Sequence, residues 1–389
     1  MTDLGNDMAA PATTVAPEAA PADQARRYAR LRRRLGLAGW LVDAALLVAL
    51  LAAGWSEALR DAAFAASPRP GVALLVYLLM MGAIFEAVSL PFDYYAGFVL
   101  ERRFGLSRMT LPMWLKDLAK SLAIGAFFGI GAAELLYWAL ARHPHRWWLA
   151  WWLWGAAVVI AFVVLLALLS PVVLFPLFFK FRPIADQDLA GRLRRLAAAA
   201  GAPAEMVLEW KLGEKTRKAN AAVAGWGITR RILLSDTLIE RFTPEEIETV
   251  VAHELGHKVH HDIPVSIVVD SGLALGSLWL VNRVLVWATP QFGFHGLADF
   301  ANLPLVLLVL AAVSLMALPA TNGYSRWRER RADGFALRVT HNQEAFIRAM
   351  RKLAEQNLAE LEPSRLVEFL FHGHPSPAKR IAYAEQAKP

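Results

Sequence analysis

Val250–Trp287 reads VVAHELGHKVHHDIPVSIVVDSGLALGSLWLVNRVLVW, and two patterns meet in it. The first part ends an apolar helical run with His253, Glu254 and His257. Residues four apart share one helix face, so both imidazoles can reach a single ion, with Glu254 beside it to hold and deprotonate a water. This is the zinc-hydrolase arrangement, because two neutral imidazoles leave zinc electron-poor and able to acidify its water. The second part, from Ile263, is apolar for long enough to cross a bilayer, which takes roughly 20 residues. A metal-binding helix therefore runs straight into a membrane span.

Composition agrees with that junction. The chain is 56% hydrophobic, and its mean hydropathy is +0.37, high for a soluble domain. It has no cysteine, so disulfides and thiolate ligands are excluded and any metal must use His, Asp or Glu. The net charge of +7 comes from basic clusters beside apolar segments. That placement fits the positive-inside bias rather than a nucleic-acid surface, so no nucleic-acid partner is expected.

Outward from the motif, the chain divides into five stretches. Residues 1–36 read as a disordered basic tail, with Arg26, Arg27, Arg30, Arg32, Arg33 and Arg34 holding the N-terminus in the cytoplasm. Residues 37–179 hold four spans, at about 37–58, 71–92, 118–140 and 147–179, with a charged cytoplasmic loop at 98–117. The basic turn at 142–146 falls on the outside, against the charge rule. Residues 180–262 form a soluble cytoplasmic insert with an amphipathic helix over 186–200 and strands at 206–210 and 232–234. In that insert Thr243, Pro244 and Glu246 spell a capping box that starts the motif helix. Residues 263–320 give spans five and six, and 321–389 a mostly helical, polar C-terminal segment on the same side as the insert.

A catalytic zinc has three protein ligands and one open position. Glu329 leads for the third, and Asp333, four residues on, can accept the second N–H of a ligand histidine. The competing reading makes residues 326–331 a solvated, ion-paired juxtamembrane run. His260, His261 and Asp262 read as juxtamembrane polar residues rather than a second metal site. Glu86, Glu134 and Asp270, costly in lipid, sit equally well in a wet interior or at an interface.

Five ordered blocks then carry a resemblance. They are Pro91-Phe92-Asp93-Tyr94-Tyr95 through Phe104-Gly105-Leu106-Ser107 to Lys120; Pro171-Val172 through Pro183; Asn220-Ala221, Gly225 and Arg231-Ile232-Leu233-Leu234-Ser235-Asp236; Ser325-Arg326, Glu329 and Ala332-Asp333; and His374-Pro375 with Arg380-Ile381. Over about Phe85 to Ile381 the chain resembles the integral-membrane zinc metalloproteases that include the type I CAAX prenyl endopeptidase. The resemblance implies a mostly α, polytopic fold. About six membrane helices would surround an internal water-filled chamber, joined to a thermolysin-like (gluzincin) zinc protease domain with a small β-sheet. It implies one Zn2+ per chain on His253, His257 and Glu329, Glu254 as catalytic base and Asp333 behind the ligands. Asn220, His374 and Arg380 would line the cleft, touching the substrate backbone or the developing oxyanion. The eukaryotic relatives have seven spans, whereas six are counted here.

The implied partners are the lipid bilayer and a peptide or protein substrate, prenylated or membrane-associated. The Ala- and Arg-rich composition looks bacterial, which points to an inner-membrane enzyme with a cytoplasmic site, acting in membrane-protein quality control. Two other readings compete: a transporter with structural zinc, and a catalytically inactive membrane scaffold. A structural site needs no base, so Glu254 speaks against the first, and the intact motif set speaks against the second.

Overall fold

A computed structural model describes residues 21–142, 151–225 and 230–387. The first 20 residues of the expected tail, the turn beyond Arg142, and Trp147 and Trp148 lie outside the described residues. The order is α1 (Pro21–Ala52), α2 (Trp55–Ala66), α3 (Pro70–Tyr94), α4 (Glu101–Arg103), α5 (Leu111–Arg142), α6 (Trp151–Leu169), α7 (Phe175–Phe178) and β1 (Phe181–Pro183). There follow α8 (Gln187–Ala199), β2 (Met206–Trp210), β3 (Ala221–Ala224), β4 (Arg231–Ser235), α9 (Asp236–Ile239) and α10 (Pro244–Val259). The chain closes with α11 (Asp262–Phe292), α12 (Leu303–Thr340), α13 (Gln343–Gln356), α14 (Arg365–Phe371) and α15 (Pro377–Gln386).

Six helical segments among the described residues are long and apolar enough to cross a membrane: Ala22–Ala52, Pro70–Arg103, Leu111–Arg142, Trp151–Phe178, Asp262–Phe292 and Phe300–Thr340. The chain is an integral, multi-pass membrane protein. None of the six apolar windows has more than 22% of its residues buried, and α6 has 0%. A bundle packed on itself would bury far more, so the helices are splayed. Asp270, exposed on α11 inside the fifth span, suits a wet chamber between such helices better than lipid.

Four expected boundaries are corrected. The basic stretch 21–36 is helix, not tail. Arg and Ala are strong helix formers, and the segment is docked: Tyr28 is buried with Leu100 and Leu106, and Arg33 pairs with Glu360 at 2.7 Å. The first span ends at Ala52 rather than 58, because Gly54 (φ 68°) takes the left-handed conformation and turns the chain into α2. The loop at 98–117 shrinks to residues 104–110, since α3 continues through a π-helical turn at Tyr95–Leu100 into α4 and α5 begins at Leu111. Backbone bonds from Arg108 N to Lys215 O and from Arg217 N to Leu106 O, each 2.8 Å, tie that loop to the insert. Finally, no break separates span six from the C-terminal segment. Residues 321–333 hold no proline, and α12 runs unbroken for 38 residues.

The insert folds around a four-stranded sheet in the order β1-β2-β4-β3, with only β2 and β4 parallel. β2 starts and ends where its pattern predicts, while the short β1 and β3 carry no readable alternation. Its core joins Leu193 of α8, Ile232 and Leu234 of β4, Val251 and Leu255 of α10, and Phe346 of α13. This core holds α10 against α12 at the polar end of the sixth span.

Candidate metal centre

The motif helix α10 starts as its sequence dictates. Thr243 Oγ1 accepts from Glu246 N, and Glu246 Oε2 accepts from Thr243 N at 3.0 Å. Lys352 then donates to the same carboxylate at 2.6 Å, fixing the helix start to α13. Three turns on, His253 is buried and His257 half-buried, facing α12.

Glycine at position 256 permits that facing. A Cβ there would lie 3.1 Å from Ala332 Cα, a backbone atom that cannot swing aside. Gly256→Ala should therefore push α10 off α12, costing about 1–3 kcal/mol and weakening zinc binding by roughly tenfold. Thermal unfolding and chelator competition check both effects. Wild-type zinc affinity in a destabilised variant would mean that Gly256 sets packing and not the site.

Three donor atoms converge across the α10–α12 interface. His253 Nε2 and His257 Nε2 are 3.2 Å apart. Glu329 Oε2 is 3.2 Å from the first and Oε1 is 3.5 Å from the second. Among the described residues this is the one His/Asp/Glu group with metal-binding geometry. The far nitrogens are spoken for: His253 Nδ1 donates to Asp333 Oδ1 at 2.8 Å, and His257 Nδ1 to Asp262 Oδ2 at 2.7 Å. Both Nε2 atoms of the neutral rings then present lone pairs to each other and to a carboxylate, an arrangement that only a cation or a proton relieves. Glu329 Oε2 is buried without a hydrogen bond of good geometry, which suits an oxygen that ligates a cation. Two ligands about 2.0–2.1 Å from one tetrahedral ion lie roughly 3.3 Å apart, so the residues fit zinc.

Without an ion, the neighbouring carboxylates would hold a proton on His253 instead. Burial and the Arg380 charge push His253 down, but Asp333 and Glu329 outweigh them and lift it to about 9. Zinc binding near neutrality must expel that proton, so apparent affinity should fall about tenfold per pH unit below that value. Chelator competition at pH 6, 7 and 8 measures the slope, and a flat profile would contradict a protonated His253. Glu254, half-buried next to His253, is pushed up chiefly by burial, against the lowering influence of the two histidines.

The other expected residues divide. Asp333, 1% exposed, sits behind His253. His374, exposed on the turn between α14 and α15, places Nδ1 3.0 Å from Glu329 Oε2. Arg326 holds that turn by donating to the carbonyls of Glu368 at 2.9 Å and His372 at 2.6 Å. Arg380, expected on the substrate, is engaged elsewhere: Nε and Nη2 bind both oxygens of Asp333 at 2.9 and 2.5 Å. Asn220 is exposed just before β3, its backbone bonded to Ser235.

Asp262 is the residue that sequence reasoning missed. It follows His261, a non-glycine residue at φ 55°, and this left-handed kink between α10 and α11 turns the carboxylate back to His257. The one available signal was an acidic residue five places after the second histidine.

Comparison with known proteins identifies the family. Residues 11–180 match the profile described as CAAX prenyl protease N-terminal, five membrane helices. Residues 183–388 match Peptidase family M48. The uncharacterized metalloprotease YhfN of Bacillus subtilis is 29% identical over 98% of this chain and 92% of its own. The CAAX prenyl protease 1 homolog of Arabidopsis thaliana is 30% identical over 76% of this chain and 69% of its own. The crystal structure of S. mikatae Ste24p superposes with a TM-score of 0.82 at 22% identity, covering 94% of this chain and 88% of that one, a likeness of fold. With both halves matched in order, the chain belongs to peptidase family M48, its peptidase segment following the membrane domain of the CAAX prenyl proteases.

Proposed function

We propose that this protein is a membrane-embedded zinc endopeptidase that holds one zinc per chain. The observation that carries the reading is the convergence of His253, His257 and Glu329, with Glu254 next to them, where α10 meets the polar part of α12 beyond the sixth span's apolar stretch. His253, His257 and Glu329 would hold the ion, which when bound supplies Lewis acidity toward a water and a scissile carbonyl. Glu254 takes the proton of the attacking water and passes it to the leaving amine. Burial raises its pKa, which suits a group that must both accept and return a proton. Asp333 and Asp262 fix the ring orientations of His253 and His257, and Arg380 neutralises Asp333. His374 and Asn220 are the groups offered to the substrate backbone and the developing oxyanion.

The substrate we favour is a peptide or protein that is membrane-associated, with prenylated Cys-a-a-X termini as one class and damaged membrane proteins as the other. The side of the membrane follows from charge. The arginines of α1 lie at the site's end of the molecule, where Tyr28 meets Glu101 and Lys218 and Arg33 meets Glu360. The positive-inside bias supports a cytoplasmic position for that end, and the Ala- and Arg-rich composition supports a bacterial inner membrane.

The test is cleavage of a prenylated peptide and of an unfolded membrane protein before and after chelation. Activity should vanish with zinc and return when one equivalent is restored. Cleavage that survives complete zinc removal would sink the reading.

A further inference from the structure

Beyond the metal ligands, the flank of α12 that meets α14 and α15 carries a second feature. A cavity of about 510 Å³ is lined by five cations, Arg326, Arg330, Arg365, Lys379 and Arg380, against two carboxylates, Asp333 and Glu368, with Phe369 and Tyr383 beside them. A smaller one of about 320 Å³, sharing Arg330 and Tyr383, is lined by Trp327, Arg331 and Arg338 and contains no carboxylate. The cations are not equally free. Lys379 is bound to Glu368, Arg380 to Asp333, and Arg326 to backbone carbonyls. Arg331 stacks on Trp327 at 4.5 Å. Arg330, Arg338 and Arg365 make no ion pair among the described residues, and all three are exposed.

Large apolar side chains are exposed around the same cations: Trp327 47%, Leu366 67%, Phe369 52% and Tyr383 41%. Leu366 and Phe369 are three apart on α14, so they share one face. A free phosphate or an acidic peptide has no need of that apolar rim. A phospholipid has, since it brings phosphate and hydrocarbon together.

The location fits. The apolar part of α12 ends near Ala320, and Trp327 and Arg330 follow about two and three turns later. Helical side chains lean toward the helix N-terminus, which here is back toward the bilayer, and an arginine stem extends that reach. Aromatic and cationic residues at this depth are the usual contacts of the headgroup layer.

We propose that Arg330 and Arg365 bind the phosphate of an anionic phospholipid, with Trp327, Leu366 and Phe369 resting in the adjoining headgroup–acyl boundary. The larger cavity shares a wall with Arg380 and Asp333, the pair behind His253. A bound headgroup thereby touches the support of the metal site, a consequence that rests on the peptidase reading; the binding itself does not.

The test is lipid retention by the full-length protein in neutral detergent. Protein is incubated with equimolar phosphatidylglycerol and phosphatidylcholine, and bound lipid is counted by native mass spectrometry. The wild type should prefer phosphatidylglycerol by roughly tenfold or more, and Arg330→Gln with Arg365→Gln should bring that preference near parity. Leu366→Ser with Phe369→Ser, which leaves the charges in place, should lower total retention. Arg194→Gln with Arg195→Gln, exposed arginines on α8, should change nothing. Inorganic phosphate should not displace the lipid beyond chloride of equal ionic strength. Unchanged preference in the Arg330/Arg365 variant, or displacement by inorganic phosphate, overturns the proposal. Glu254→Gln should retain lipid like the wild type, so loss of the peptidase reading would leave this result standing.

Discussion

Glu254→Gln should lose about 10²–10⁴-fold in peptide cleavage while keeping its zinc. Glutamine matches glutamate in shape and can still hydrogen-bond a water, but it cannot take that water's proton. The three convergent donors belong to His253, His257 and Glu329, so metal content should be that of the wild type. The two readouts separate the competing readings. In a transporter or scaffold with structural zinc, the variant and the parent would behave alike in every assay of binding or transport. In an endopeptidase they share the metal and differ in turnover. Full cleavage by the variant would place the base elsewhere, and loss of zinc would make Glu254 a ligand instead.

What could be read beforehand follows from the range of each interaction. The histidine pair, Glu254 and the Thr243–Glu246 cap are local, set by helix periodicity within four residues, and the structure forms the cap as spelled. The membrane spans are set by composition over windows of similar length, so their existence was legible and their ends were not. Gly54 closes the first early, and α12 carries the sixth on to Thr340. Glu329 could be singled out without that continuity, because it stands four residues before Asp333 on one helix face and inside a block of the resemblance. Asp262 was illegible because its meeting with His257 depends on the positive φ of His261, a conformation residue type alone does not announce. Arg380 was placed near the cleft, yet its pairing with Asp333 across 47 residues is a tertiary fact with no local signature. The same holds for the basic segment of α1, whose order comes from burying Tyr28 against Leu100 and Leu106.

Asp333→Asn should have the second large effect, and it should act on metal binding before chemistry. Asp333 Oδ1 accepts from His253 Nδ1 and from Arg380 Nη2, while Oδ2 accepts from Arg380 Nε. An asparagine offers one acceptor oxygen and one NH2. If the oxygen keeps the Oδ1 contacts, the NH2 faces the Arg380 Nε–H, donor against donor. If the amide flips, the NH2 faces His253 and Nη2, which is worse. Either way the guanidinium, 15% exposed, loses its counter-charge, at a cost toward the lower end of the roughly 3–5 kcal/mol for a buried pair broken on one side. The unbalanced cation also stands close to where a divalent metal must bind. Zinc affinity should fall 10–100-fold, the usual penalty for removing the partner of a ligand histidine. Stability and affinity then part company in the double variant Asp333→Asn with Arg380→Gln. Removing the stranded charge should recover most of the stability, but His253 would still lack its anionic partner and zinc would remain weak. Wild-type zinc affinity in Asp333→Asn, with only stability lost, would assign Asp333 to the packing of α12 on α15 and remove it from the metal site.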